Sequence, residues 1–283
     1  MTNIRLGIST CPNDTFAFHA LMHNLVDWRG LNFQVELLDI QQLNDRLITG
    51  EFDVAKGSFH AGLWLSEKMC VLPSGSALGF GVGPLLLASE PGEVPGDASQ
   101  LTLCPGEHTT ASLLFSLFYP TTTRVKQILF SEIMPSLQRL DANFGVCIHE
   151  GRFTWQQQGL HLVEDLGTRW ERETHAPLPL GGILAAKSLG NEVLSRVQHT
   201  IRDSLQYALA NRQATLPTLR QHAQEFDDAV LMQHVDLYVN DWTVDLGLAG
   251  ADALQQLSAR AKAVGLISQQ TADIEVFAPT TER

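Results

Sequence analysis

The chain carries little with which to cross-link itself or bind a metal. Its four cysteines, Cys11, Cys70, Cys104 and Cys147, are scattered and form no CxxC pair. That spacing suits reduced thiols and argues against a disulfide framework or a thiolate zinc site. Long apolar runs are also missing. Stretches such as Pro84 to Ala88 fall far short of the roughly 20 residues that a membrane-spanning helix needs. Basic charge is scarce: 19 Lys and Arg stand against 31 Asp and Glu, a formal net charge of −12. A field of that sign repels nucleic acid and anionic membrane surfaces, so neither is expected as a partner, while a local site for a small anion stays open.

Several motifs are absent as well. There is no GKS or GKT phosphate loop and no GxSxG elbow, and GFGVGP lacks the full GxGxxG spacing, so a nucleotide cradle or a hydrolase serine is not indicated. His19 and His23 have the i, i+4 spacing of a metal pair without the HExxH glutamate or a third ligand. No metal and no cofactor are expected. The amino-terminal MTNIRLGIST has neither a basic segment leading into an apolar stretch nor a small-residue cleavage site, and a cytoplasmic location is expected.

What is present is an enzyme-sized chain of 283 residues, 44% hydrophobic, enough for one large or two moderate domains. Ile4–Ile8 reads as a buried strand, STCPND as a turn, and TFAFHALMHNLV as a helix with Pro12 near its first turn. Phe33–Ile40 reads as a second strand, Gln41–Thr49 as an amphipathic helix, and FDVAK as a third strand ending at Gly57 and Ser58. Such β-α alternation predicts a mainly parallel sheet covered by helices. The Gly-, Pro- and Ser-rich stretch from Ser74 to Ser99 marks a boundary. Beyond it LTLCPGEHTTASLLFSLF repeats the strand–loop–helix pattern, VKQILF and FGVCIH read as strands, and PLPLGGILAAK leads back to a mostly helical remainder. The expected division is a discontinuous α/β domain of residues 1–98 and 184–283, with a smaller α/β domain of residues 99–183.

One internal correspondence bears on function. Aligning GEFDVAKGS with ANFGVCIHE pairs Phe52 with Phe144, Val54 with Val146 and Gly57 with His149. Open parallel sheets bind ligands just outside the carboxyl ends of their strands. Facing domains would then bring Ser58 and His149 to one cleft. A histidine at a strand mouth can act as a base near neutral pH, and it can equally cap the strand. Thr109, Thr110 and Ser112 begin an apolar-periodic helix, where free N–H groups and hydroxyls suit both capping and anion binding. Ser9, Thr10, Asn13 and Asp14 occupy another strand-to-helix junction, which reads as a helix cap or as ligand contacts. In AKGSFH, Gly57 would permit close approach of the backbone to a ligand, and Lys56 would either neutralise an anion or face solvent.

Taken together, STCPNDTFAFHAL, the KGS turn, SGSALGFGVGPLLLA, PGEHTTASLL, IHEGRFTW, LPLGGILA and YVNDWTVDLG resemble the 1,4-dihydroxy-6-naphthoate synthases of the futalosine route to menaquinone, over nearly the whole chain. The resemblance implies a periplasmic-binding-protein type II-like fold: two α/β domains joined by two crossings, with a small-molecule substrate in the cleft. It implies a carbon–carbon lyase without redox cofactor, converting cyclic dehypoxanthinyl futalosine to 1,4-dihydroxy-6-naphthoate, with His149 as the base. It further implies that Lys56, Gly57 and Ser58 form one substrate-contacting turn and Thr109 with Thr110 a second, with Asn13, Asp14 and Thr10 as further contacts. Chorismate dehydratase of the same pathway and a cytosolic small-anion binding protein are the alternatives. Nothing in the sequence specifies an oligomeric state.

Overall fold

The computed structural model describes residues 1–148, 151–223 and 227–279. Strand β1 (Thr2–Ser9) is apolar over most of its length because it is covered on both faces. Pro12 opens α1 (Pro12–Ala17), and α2 (His19–Met22) follows after a break at Phe18, so the helix expected over TFAFHALMHNLV is two short ones. Next come β2 (Leu31–Leu38) and α3 (Ile40–Ile48). Asp39 caps α3, and Gln42 reaches back to the Asp39 N–H to complete a capping box. Strand β3 (Val54–Ser58) runs straight into α4 (Phe59–Leu65), followed by β4 (Met69–Val71) and β5 (Ala77–Gly79). Lys56, Gly57 and Ser58 are therefore the end of a strand, as the FDVAK pattern predicts, and not the turn that the resemblance implies.

The second half repeats the plan: β6 (Leu85–Ala88), β7 (Leu101–Cys104), α5 (Thr110–Phe118), β8 (Arg124–Gln127), α6 (Ile133–Gln138), β9 (Phe144–Cys147), α7 (Gly151–Thr154), β10 (His161–Asp165) and α8 (Leu166–Thr174). The long β11 (Leu178–Ala186) precedes a helical layer of α9 (Asn191–Ala210), α10 (Arg212–His222), α11 (Asp228–Tyr238), α12 (Asp241–Val244) and α13 (Gly247–Ala263).

Two mixed sheets result, ordered β2-β1-β3-β11-β4 with β5 also on β11, and β10-β6-β9-β7-β8. In each, a parallel triplet (β2-β1-β3 or β8-β7-β9) is joined by one antiparallel strand contributed from the other side of a crossing. Strand β6 leaves the first half and pairs with β9, Leu85 opposite Cys147; β11 leaves the second half and pairs with β3, Ala185 opposite Val54. Residues 85–88 therefore belong to the second sheet, although the sequence reading grouped them with residues 1–98. Likewise the first six residues of β11 lie in the first sheet, although they precede the expected boundary at 184. A short apolar run shows burial in its periodicity but not the identity of its hydrogen-bonding neighbour.

On one face of the first sheet, Ile4, Leu6 and Ile8 pack with Phe16, Phe18 and the α9 residues Val197, Ile201 and Leu205. On the other face, Leu43, Leu47, Ala55, Phe59 and Leu63 join a cluster that continues into Leu113, Leu114, Phe115 and Trp170 of the second half. The apolar core thus crosses the junction between the halves.

At the first crossing the backbone itself is in contact. A Cβ on Gly83 would lie 2.2 Å from the Gly167 Cα, and one on Gly167 would lie 2.6 Å from the Gly83 Cα. Arg152 donates to the Gly83 carbonyl and pairs with Asp165 at 2.6 Å, and Asp165 caps α8 through the N–H groups of Gly167 and Thr168. Because backbone cannot yield as a side chain does, Gly83→Ala should cost about 3 kcal/mol or more in denaturant unfolding. Gly159→Ala, at a left-handed φ of 70° with open space around it, should cost only about 1–2 kcal/mol.

Candidate active site

The carboxyl ends of β1, β3 and β9 open onto one cleft of about 660 Å³, part of it open to solvent. Its wall includes Asn13, Asp14, Lys56, Ser58, Thr109 and Thr110 from the sequence reading, together with Ile148 at the end of β9. His149 lies outside the described residues. Apolar wall is supplied by Ile40, Ala77, Val82, Pro84, Ala111 and Leu180, so the cavity is mostly greasy with a few convergent polar groups, the usual make-up of a small-molecule site.

At the carboxyl end of the first sheet, Lys56 and Asp14 form a buried ion pair, Nζ to Oδ1 2.7 Å, with side chains 5% and 4% exposed. Lys56 also donates to the Gly75 carbonyl at 3.0 Å. Two of the three ammonium protons are thus taken within the protein. Asn13 donates its amide to the same Asp14 oxygen at 2.9 Å. Ser58 is held from both sides by Asn44, whose Oδ1 accepts the Ser58 N–H and whose Nδ2 donates to the Ser58 Oγ. Asn44 also donates to the His108 carbonyl, joining α3 to the loop that starts α5.

Across the cleft, Thr109 caps α5 by accepting the Ser112 N–H at 3.2 Å while its hydroxyl donates to the Gly106 carbonyl. Thr110 donates to the Leu180 carbonyl at 2.6 Å. The capping function and a place on the cleft wall therefore coexist at Thr109, and Thr110 ties α5 to β11.

Two of the residues singled out lie off the described cleft wall. Gly57 does not line the cleft: a Cβ there would lie 2.8 Å from both Leu47 and Leu184, so its size serves packing between α3 and β11. Thr10 is also off the described wall, its N–H bonded to the Leu38 carbonyl. Conversely, the sequence reading missed Cys11, His234 and Tyr238 on the wall. His234 and Tyr238 come from α11, where the alternation of apolar positions gives a buried face without naming the cavity it reaches.

Buried thiols take no part in ionic chemistry near neutral pH. Burial pushes Cys70 up to about 11 and Cys104 and Cys147 up to about 12. His60, beneath the cleft, is shifted the other way: burial lowers it to about 4, only partly offset by its Nδ1 hydrogen bond to the Thr109 carbonyl at 3.2 Å. The unfolded chain then binds a proton at His60 between its ordinary value of 6.5 and about 4 that the folded chain does not. Stability is fully present above that window and falls as pH drops through it, by about 3 kcal/mol in total. His60→Phe, which cannot titrate, should flatten that part of the stability–pH curve in urea unfolding, whatever its effect at pH 8.

Residues 4–263 match the family model described as menaquinone biosynthesis. The chain is 39% identical to a 1,4-dihydroxy-6-naphthoate synthase of Thermus thermophilus over 266 residues, covering 94% of this chain and 96% of that protein. It is also 39% identical to a protein of the same name from Streptomyces coelicolor, covering 97% and 98% of the two chains. Among solved structures it is similar to protein AF1704 from Archaeoglobus fulgidus, with a TM-score of 0.88 at 29% identity over 94% of this chain and 98% of that one. The sulphonate-binding protein SsuA from Escherichia coli, periplasmic, superposes with a TM-score of 0.65 at 12% identity over 100% and 96%, which shows a shared periplasmic-binding-protein fold. With matches of this length, identity and fold, the chain belongs to the 1,4-dihydroxy-6-naphthoate synthase family of enzymes in menaquinone biosynthesis.

Proposed function

We propose that this enzyme is a lyase that converts cyclic dehypoxanthinyl futalosine to 1,4-dihydroxy-6-naphthoate in the cleft, with His149 as the base. The reading is supported chiefly by two relatives of that name matching over nearly the whole chain. A soluble cytoplasmic enzyme acting on a small molecule fits it, and no helix among the described residues is long and apolar enough to cross a membrane.

In this reading His149 removes a proton from carbon beside the substrate's enolisable centre. The C–H electron pair drives expulsion of the sugar-derived part as the ring becomes aromatic, so the step is downhill. The protein's work is to hold the base against that carbon and to stabilise negative charge developing on oxygen. The remaining N–H of Lys56 and the Thr110 main-chain N–H at the start of α5 are the donors we assign to substrate oxygens, the hydroxyls of Thr109 and Thr110 being given to the Gly106 and Leu180 carbonyls. The apolar wall at Val82, Pro84, Ile148 and Leu180 is assigned to the ring system. Asn13, Asp14 and Ser58 complete the polar side.

Anaerobic incubation with cyclic dehypoxanthinyl futalosine, followed by mass spectrometry, should give 1,4-dihydroxy-6-naphthoate from the wild type. His149→Ala should turn over about 10²–10⁴-fold more slowly. Near-normal turnover by the variant removes His149 from the mechanism, and a folded wild type that makes no product but consumes chorismate replaces the reaction.

A further inference from the structure

His234 is 1% exposed, lines the cleft and lies 221 positions along the chain from its partner Asn13. Its Nε2 is 3.0 Å from Asn13 Oδ1; Asn13 Nδ2 is 2.9 Å from Asp14 Oδ1; Lys56 Nζ is 2.7 Å from that same oxygen. The array has a single sense. A carboxylate paired with an ammonium only accepts, so Asn13 must give Asp14 its N–H. The Asn13 carbonyl oxygen therefore turns to the imidazole, and His234 donates from Nε2. Turning the Asn13 amide over would set its carbonyl oxygen against the carboxylate and its NH₂ against another donor.

The imidazole is itself held in place. The Tyr238 ring, one turn further along α11, is 4.5 Å away, and the Phe153 ring of α7 meets it edge-on at 6.5 Å. The helical layer at the carboxyl-terminal end of the chain thus reaches a network that begins on β3 and α1, at a point where the second half also makes contact.

We propose that His234 is a positioning residue for the reaction. By donating Nε2–H to Asn13 it fixes the Asn13 amide, and through Asn13 and Asp14 it sets the location and hydrogen bonding of the Lys56 ammonium on the cleft wall. The kinetic consequence rests on the reading that Lys56 meets substrate oxygen. Loss of the donor leaves Asn13 free to turn, removes one of the two donors on the Asp14 oxygen and draws the ammonium toward the carboxylate.

The test pairs His234→Gln, whose amide N–H reaches about as far as Nε2, with His234→Leu, which has no donor. His234→Leu should raise KM about tenfold or more with a smaller change in kcat, and His234→Gln should recover most of the loss. A folded His234→Gln as impaired as His234→Leu would mean the imidazole itself acts, and unchanged KM in both variants would leave His234 without a role; either result overturns the proposal. Nitrogen-15 NMR of the substrate-free protein supplies a readout without turnover. The His234 proton should reside on Nε2 and its signal should move in Asn13→Ala, while the Lys56 Nζ signal should move in His234→Leu. A proton on Nδ1 alone, or an unmoved Lys56 signal, defeats the proposal whatever the activity. Should the wild type fail to make the naphthoate while these signals behave as stated, the reaction is wrong and the positioning network stands.

Discussion

Two antiparallel strands hold this molecule together as one object. Strand β6 completes the second sheet beside β9, and β11 completes the first beside β3, so each half lends the other an interior strand. An interior strand cannot be withdrawn without exposing backbone donors and acceptors on both of its edges. The exchange therefore fixes which strand ends face the cleft. It also explains why the apolar cluster passes without interruption from Leu43 and Phe59 to Leu113 and Trp170. Gly83 and Gly167, backbone on backbone at the first crossing, mark how closely the chain must pass for that arrangement to close.

Within that frame the cleft keeps its charge under tight control. An ammonium and a carboxylate taken out of water together are costly, and the cost is offset only when geometry is good and the remaining donors and acceptors are satisfied. Lys56 and Asp14 have the geometry, and Gly75 and Asn13 satisfy all but one N–H of the ammonium and supply a second donor to the carboxylate. The pair has little net charge, so it is suited to holding an oxygen in a chosen place and ill suited to trapping any passing anion. The uncharged hydroxyls of Thr109 and Thr110 and the neutral His60 beneath them keep the opposite wall consistent with that design.

Much of the site was legible locally. Pro12 with the residues around it, Lys56 and Ser58 at the end of an apolar strand, and Thr109 before an apolar helix are signals carried by a few adjacent residues. The structure sets Asn13, Asp14, Lys56, Ser58, Thr109 and Thr110 on one wall system. At Gly57 the sequence is ambiguous, because a small residue reads the same whether a ligand or a leucine occupies the space it leaves, and Leu47 and Leu184 lie against it.

The sequence by itself determined the strand–loop–helix units around β1, β2, β3 and β7, the absence of metal and phosphate-loop motifs, and the strand-end and helix-start residues that supply polar groups. These follow from periodicity, capping and turn chemistry, which act over a few residues. Only the tertiary structure decided that residues 85–88 serve the second sheet, that β11 spans the expected boundary, and that His234 and Tyr238 reach the cleft from α11. Strand partnership and the destination of a buried helical face are settled by contacts between residues far apart in the chain, and local hydrophobic patterning reports burial without naming the partner.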